Sequence, residues 1–302
     1  MELGIVLPTM WRRDGRPVDI VAAARHAEEL GFGSVWVIDQ LIAGTGVPLL
    51  DSFVSLAAAA AVTERVRLGL GVLIVPLRPV AWIAKQVASL QYLSGDRLLL
   101  GVGVGGDRHA ASWNAVAVSA RDRGRLLDEA LRLLPGLISG QPVRLFPDRD
   151  EIVLSPGATV PPIIVGGMSE AAIRRVAAYG DDWYVMAGPD DIPRYRKLVA
   201  DRAAEYGRPV PSISSSVMVA IDGDPSLPGP DALAGLLTDP DGMFGIPAEV
   251  AAGAMQAGGP AAIADHLSSV AAAGVHRAVV SIVAGDWFRQ AELLAEARAH
   301  LG

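Results

Sequence analysis

Arg97-Leu98-Leu99-Leu100-Gly101-Val102-Gly103-Val104-Gly105-Gly106 is an apolar run that sheds its side chains toward one end. Its first half has the length and bulk of a strand buried on both faces. Its second half puts glycine at alternate positions and then twice in succession. Buried strands are held by side-chain packing, so glycines at the exit imply close approach by a neighbouring backbone or a flat ligand. Arg65-Val66-Arg67-Leu68-Gly69-Leu70-Gly71-Val72-Leu73-Ile74-Val75-Pro76 reads the same way. Core strands under tight turns account for either stretch alone. Together, at the same end of neighbouring strands, they mark a pocket.

On the amino side, 4–8 is a short apolar strand and Asp19 caps a helix with Ile20, Ala24, Ala27 and Leu30 in helical spacing. A second strand, 34–38, ends at Asp39-Gln40. Asp51 caps an alanine-rich helix, and Pro79 opens another with Ile83, Val87 and Leu90 on one face. On the carboxyl side, 107–120 is a loop holding His109 and Trp113. The stretch 121–138 is helical, with Pro135-Gly136 expected to kink it or end it early. A turn-rich excursion with a small hairpin follows over 142–159. Further strands fall at 162–165, 183–186, 212–221 and 277–283, with helices between them and after the last. The Pro- and Gly-rich segment 222–259 yields no pattern.

Eight strands alternating with helices predict an α/β fold, a (β/α)8 TIM barrel with insertions after strands 4 and 7. An open doubly wound sheet is the alternative. No linker interrupts 1–302, so a single domain is expected. In a barrel the active site lies at the C-terminal strand ends. These are Asp39-Gln40, 71–74, 103–107, 166–169, 186–188 and 284–286.

Composition narrows the function. The chain is 51% hydrophobic and 20% charged, without a membrane-length apolar run or a secretory leader at Met1, so a cytoplasmic protein is expected. It has no cysteine, which removes disulfides, thiolate metal sites and cysteine nucleophiles. A net charge of −7 argues against a nucleic-acid partner. No HxH, HExxH or carboxylate cluster suggests a metal, and there is neither a GxSxG elbow nor a Walker A sequence. A redox enzyme with an organic cofactor is favoured over one working with side chains alone. Of the histidines, only His109 falls in a loop of the presumed catalytic face. Gly166-Gly167-Met168-Ser169, between strand and helix, is either an anion cradle or a tight turn with a Ser169 cap.

Several stretches resemble the bacterial luciferase-like flavin-dependent oxidoreductases. They are Ala27-Glu28-Glu29-Leu30-Gly31-Phe32-Gly33-Ser34-Val35-Trp36-Val37, Val66-Arg67-Leu68-Gly69, Ala84-Lys85-Gln86-Val87-Ala88-Ser89-Leu90, Arg97 to Gly103 and Pro162 to Gly167. Arg123-Gly124-Arg125-Leu126-Leu127-Asp128-Glu129 and Ala271-Ala272-Ala273-Gly274-Val275 add to the likeness, which fades over 222–255.

The resemblance implies a barrel binding the deazaflavin coenzyme F420, or alternatively flavin mononucleotide (FMN), at its mouth. It implies a bulge with a non-proline cis peptide at Gly71–Val72 behind the ring, ring binding by Asp39, and phosphate binding by Gly166 and Gly167. Gly103, Val104, Gly105, Met168 and Ser169 complete the expected cofactor site. Sugar-phosphate dehydrogenase members carry a catalytic histidine where this chain has Gln40 and a glutamate where it has Gly106. Glutamine is no acid or base at neutral pH. A reductase is therefore expected, delivering hydride from reduced F420 to an imine or activated double bond, with Asp107, His109 or water supplying the proton. The alternatives are an FMN-dependent monooxygenase and a non-catalytic ligand-binding barrel. Trp11, Gln40, Trp113 and the 222–255 segment are expected to wall a pocket for a small or medium-sized organic substrate. A homodimer is the assembly considered. Gly71→Val is expected to weaken cofactor binding by more than about 1 kcal/mol while the barrel stays folded.

Overall fold

The computed structural model describes residues 1–11, 15–44, 47–106, 110–239, 244–247 and 253–301. Its strands begin with β1 (Glu2–Val6), β2 (Ser34–Val37), β3 (Arg67–Leu70), β4 (Leu73–Ile74) and β5 (Leu98–Gly103). They continue with β6 (Ile163–Gly166), β7 (Asp182–Val185), β8 (Ser212–Ile221), β9 (Met255–Gly258) and β10 (Arg277–Ile282). All pair in parallel. Arg277 lies in register with Glu2 on one side and Ser214 on the other, so β10 joins β1 to β8 and closes the ring. Closure rules out the open doubly wound sheet. The barrel has eight staves: β4 continues β3 along β5, and β9 lies outside the ring on the outer half of β8.

The helices around the barrel are α1 (Ile20–Glu29), α2 (Ser52–Ala60), α3 (Val80–Ser94), α4 (Ala110–Ala115), α5 (Arg123–Ile138) and α6 (Glu170–Tyr179). They continue with α7 (Ile192–Glu205), α8 (Pro230–Thr238), α9 (Pro260–Ala272) and α10 (Trp287–Ala299). Asp19 caps α1 by accepting from the N–H groups of Val21 and Ala22, and Gly95 ends α3 in the left-handed conformation with φ +66°. Contrary to expectation, α5 runs through Pro135 without stopping. Proline removes one hydrogen bond, but buried Leu131, Leu134, Leu137 and Ile138 anchor both sides of it. Among the described residues no helix is long and apolar enough to cross a membrane.

Inward-facing side chains stack in layers. At the amino-terminal end Arg277 binds Glu2 at 2.9 Å and Asp182 at 3.0 Å, with Ser214 and Ser34 completing a buried polar layer. Above it Trp36, Leu99, Ile164, Tyr184 and Val279 form an apolar layer. Gly4 and Gly69 face the Trp36 indole, and a Cβ at either would collide with it. The next layer is the floor of the mouth.

Candidate active site

The third stave breaks at the floor. Leu68 pairs with Leu98 and Gly69 with Leu99, but Leu73 pairs with Val102 and Ile74 with Gly103. The register slips by one residue, the signature of a bulge. Gly71 and Val72 form it, joined by a cis peptide. The glycines of β5 and β6 meet the bulge from below. A Cβ on Gly103 would lie 2.7 Å from Val72 Cγ2, and one on Gly166 would lie 3.1 Å from Val72 Cγ1. One on Gly101 would strike the Leu70 carbonyl. The glycines thus make room for the bulge, and Val72 fills the space they leave. A Cβ on Gly71 would point down into the core, 3.2 Å from Trp36 Cε3 and 3.3 Å from Tyr184 Oη. Packing around the bulge thus accounts for the missing side chains of Gly103, Gly166 and Gly71.

Asp39 lies at the end of β2 and is only 5% exposed. Its Oδ1 accepts from Ser52 Oγ at 2.9 Å and Arg78 Nη2 at 2.7 Å. Its Oδ2 accepts from the Ile74 N–H at 2.9 Å and Arg78 Nη1 at 2.7 Å. A carboxylate offers about four acceptor positions, and here protein donors fill them. Asp39, expected to bind the ring, ties β2 to β4 and to the start of α2. Burial disfavours the Arg78 charge, but Asp39 and Asp51 outweigh it and hold the guanidinium pKa above its ordinary value. Arg78 was missed in the sequence because it lies far from Asp39 and carries no motif.

Beyond Val72 the floor is bordered by two glycine turns. Gly105 has φ +72°, and a Cβ on Gly106 would meet nothing within 4 Å, so this edge is open. Asp107 and His109 lie outside the described residues. Gly167 has φ +118°, which favours glycine. Its N–H donates to the Tyr184 carbonyl at 3.2 Å and its carbonyl accepts from Trp183 Nε1 at 2.8 Å. Ser169 caps α6, its Oγ accepting from the Ala172 N–H at 3.2 Å. The glycine and serine build a tight capped turn, and the first-turn N–H groups of α6 other than that of Ala172 face out of the helix end. Val104 and Met168 flank these turns, half-buried against the core.

On the opposite half of the mouth lies a cavity of about 990 Å³. The ends of β1, β2 and β10, the turn into α10, α8 and Phe244 line it, and Trp11 stands in its wall. Trp287 is fixed there by a 3.0 Å bond from Nε1 to the Val6 carbonyl. The structure does not bring the other two expected substrate residues to this wall. Trp113 sits in α4, 3% exposed, packed against Ile74 and Leu77. The segment expected to be a loop is here a helical turn that buries the indole. Gln40 is half-buried, and its Oε1 has no hydrogen-bond partner among the described residues.

Residues 1–227 match a family model described as luciferase-like monooxygenase. An uncharacterised protein of Mycobacterium tuberculosis is 37% identical over 171 residues, 55% of this chain and 58% of that protein. The F420-dependent glucose-6-phosphate dehydrogenase of Beutenbergia cavernae is 29% identical over 219 residues, 69% of this chain and 65% of that protein. The limonene 1,2-monooxygenase of Rhodococcus erythropolis is 25% identical over 195 residues, 61% of this chain and 50% of that protein. The matches thus span between half and two thirds of these relatives' length. A solved F420-dependent secondary alcohol dehydrogenase, in complex with an F420-acetone adduct, superimposes with a TM-score of 0.81 at 20% identity. The superposition covers 100% of this chain and 99% of that one, and shows a shared fold.

Proposed function

The chain belongs to the luciferase-like monooxygenase family, and on that footing we propose that it is an F420-dependent oxidoreductase. Its mouth divides into a cofactor half at β3 to β6 and a substrate half at β1 and β10. The observation that carries this reading is the bulge: Val72, seated over Gly103 and Gly166, presents an apolar floor beside the open edge at Gly106. A flat tricyclic ring fits such a shelf. The N–H groups at the start of α6, set by the turn at Gly167, suit the phosphate that F420 and FMN share. When bound, reduced F420 supplies a hydride to an imine or activated double bond of an organic substrate.

The residues of the chain orient and exclude. Asp39 and Arg78 fix the exit of the bulge, and the turns at 104–106 and 166–169 border the ring. Asp107 and His109 remain the proposed proton donors, on the sequence reading. Gln40 in place of a histidine offers an amide that binds or orients without titrating. The order of cofactors follows the relatives: the F420-dependent dehydrogenase matches more of this chain, at higher identity, than the limonene monooxygenase. An FMN-dependent monooxygenase is the second reading, favoured by the apolar lining of the cavity. A homodimer in the cytoplasm completes the proposal.

Titrating the protein with F420 and with FMN tests the assignment. F420 is expected to bind at least tenfold more tightly. Tighter FMN binding would reverse the order, and binding of neither would remove the cofactor reading and favour a non-catalytic barrel.

A further inference from the structure

We infer that the substrate half of the mouth is a site for a neutral, largely hydrocarbon molecule. This rests on the proposed function only in calling the occupant a substrate. The cavity, about 990 Å³, lies at the upper end of the roughly 300–1,000 Å³ typical of sites for drug-sized ligands. Val6, Met10, Trp11, Leu236, Phe244 and Val283 supply apolar walls from four separate segments of the chain.

Three polar residues of the wall spend hydrogen bonds on other protein groups. Asp286 caps α10, its Oδ1 accepting from the Arg289 N–H at 2.9 Å, while its own N–H donates to Asp224 Oδ2 at 2.7 Å. Ser226 also spends its N–H and its hydroxyl on Asp224 Oδ1, at 2.8 and 2.7 Å. The Trp287 indole N–H is spent on the Val6 carbonyl. Among the described wall residues Arg16 is the one basic side chain, and it lies exposed on the rim. Thr9 and Ser281 also line the wall, and their neutral hydroxyls add no charge to it. Ala284, half-buried in the wall, is the place to narrow the space.

The test titrates the full chain with N-phenyl-1-naphthylamine, a neutral aromatic probe whose fluorescence reports an apolar site, with glucose 6-phosphate as competitor. The expected result is saturable binding of one probe per chain, weakened at least tenfold by Ala284→Phe and at least threefold by Trp11→Ala. Thermal melts accompany both variants, and the milder one decides if Ala284→Phe fails to fold. F420 or FMN affinity is expected to stay within twofold, and glucose 6-phosphate is expected not to displace the probe. Probe affinity unchanged in the folded variants, or displacement by glucose 6-phosphate, would overturn the inference. Probe binding that obeys these expectations without any cofactor binding would leave the apolar site standing and remove the proposed function instead.

Discussion

Arg78 grips Asp39 through two parallel N–H···O bonds of 2.7 Å each, one to either carboxylate oxygen. The forked geometry joins the end of β2 to the segment after β4, two pieces of chain held apart at the mouth. Asp39 also takes the Ile74 N–H, so its charge sets where the chain resumes after the bulge. Removing one partner of a buried pair leaves the other charge without compensation. Arg78→Ala is therefore expected to lower stability by about 3–5 kcal/mol, read by urea denaturation. A loss under about 1 kcal/mol, the worth of an exposed pair, would mean that solvent already compensates Asp39.

Val72 and Gly103 are expected to be energetically coupled. Gly103→Ala pushes a methyl to 2.7 Å from Val72 Cγ2, and overpacking of this kind costs about 1–3 kcal/mol. Adding Val72→Ala removes the obstructing methyls. The double variant is thus expected to be more stable than the sum of the two single losses by at least about 0.5 kcal/mol. Strict additivity in a denaturation cycle would show that the methyls do not meet.

Gly71→Val now carries a different expectation from the sequence-based one. Its side chain would enter the layer of Trp36 and Tyr184, with contacts of 3.2 and 3.3 Å already at Cβ. A lowered melting temperature is expected together with weaker cofactor binding. An unchanged melt would restore the view that Gly71 opens only toward the ring.

Asp224 gives the protein part of its acid limit. Burial raises its carboxyl pKa, but bonds from Ser226, the Asp286 N–H and Gln290 outweigh burial and leave it below the ordinary 3.8. A depressed carboxyl contributes stability that is present above the unfolded value and lost as pH falls through the folded one. Asp224→Asn is expected to be less stable than the parent at pH 7, with the gap in melting temperature shrinking as pH drops below about 4. A gap constant down to pH 2 would show that the hydrogen bonds do not discriminate between the ionised and neutral forms.

Tyr184 sets a corresponding alkaline feature. Burial pushes its phenol up to about 12, against a smaller lowering by the hydrogen bond with Ser216. The unfolded phenol ionises near 10, so the folded state binds the proton more tightly and stability from this group is lost as pH rises from about 10 toward 12. Ultraviolet titration of the five tyrosines is expected to show one late ionisation, absent in Tyr184→Phe. An unchanged titration curve in that variant would place the late ionisation elsewhere.

The strand–helix alternation was legible because periodicity and punctuation are local. Apolar runs, Asp19 as a cap and Gly95 as a stop report on residues within a few positions of themselves. The closing of the ring followed from the number of such units, and the C-terminal mouth followed from the ring. What the glycines were for was not legible. Their missing side chains showed that something approaches Gly101, Gly103 and Gly166 closely, but the occupants are the Leu70 carbonyl at Gly101 and Val72 at the other two, fixed by a one-residue slip between β3 and β4. Likewise nothing near Asp39 in the sequence announces Arg78, because a fork meeting a carboxylate across 39 residues is decided by how two staves and a helix pack. Trp11 and Trp113 looked alike as aromatic loop residues, yet one stands in a cavity wall and the other lies under Ile74. Local pattern determined which elements form and where they end. Which side chain fills which space was decided only when distant segments were brought together, since close packing depends on partners that no local pattern names.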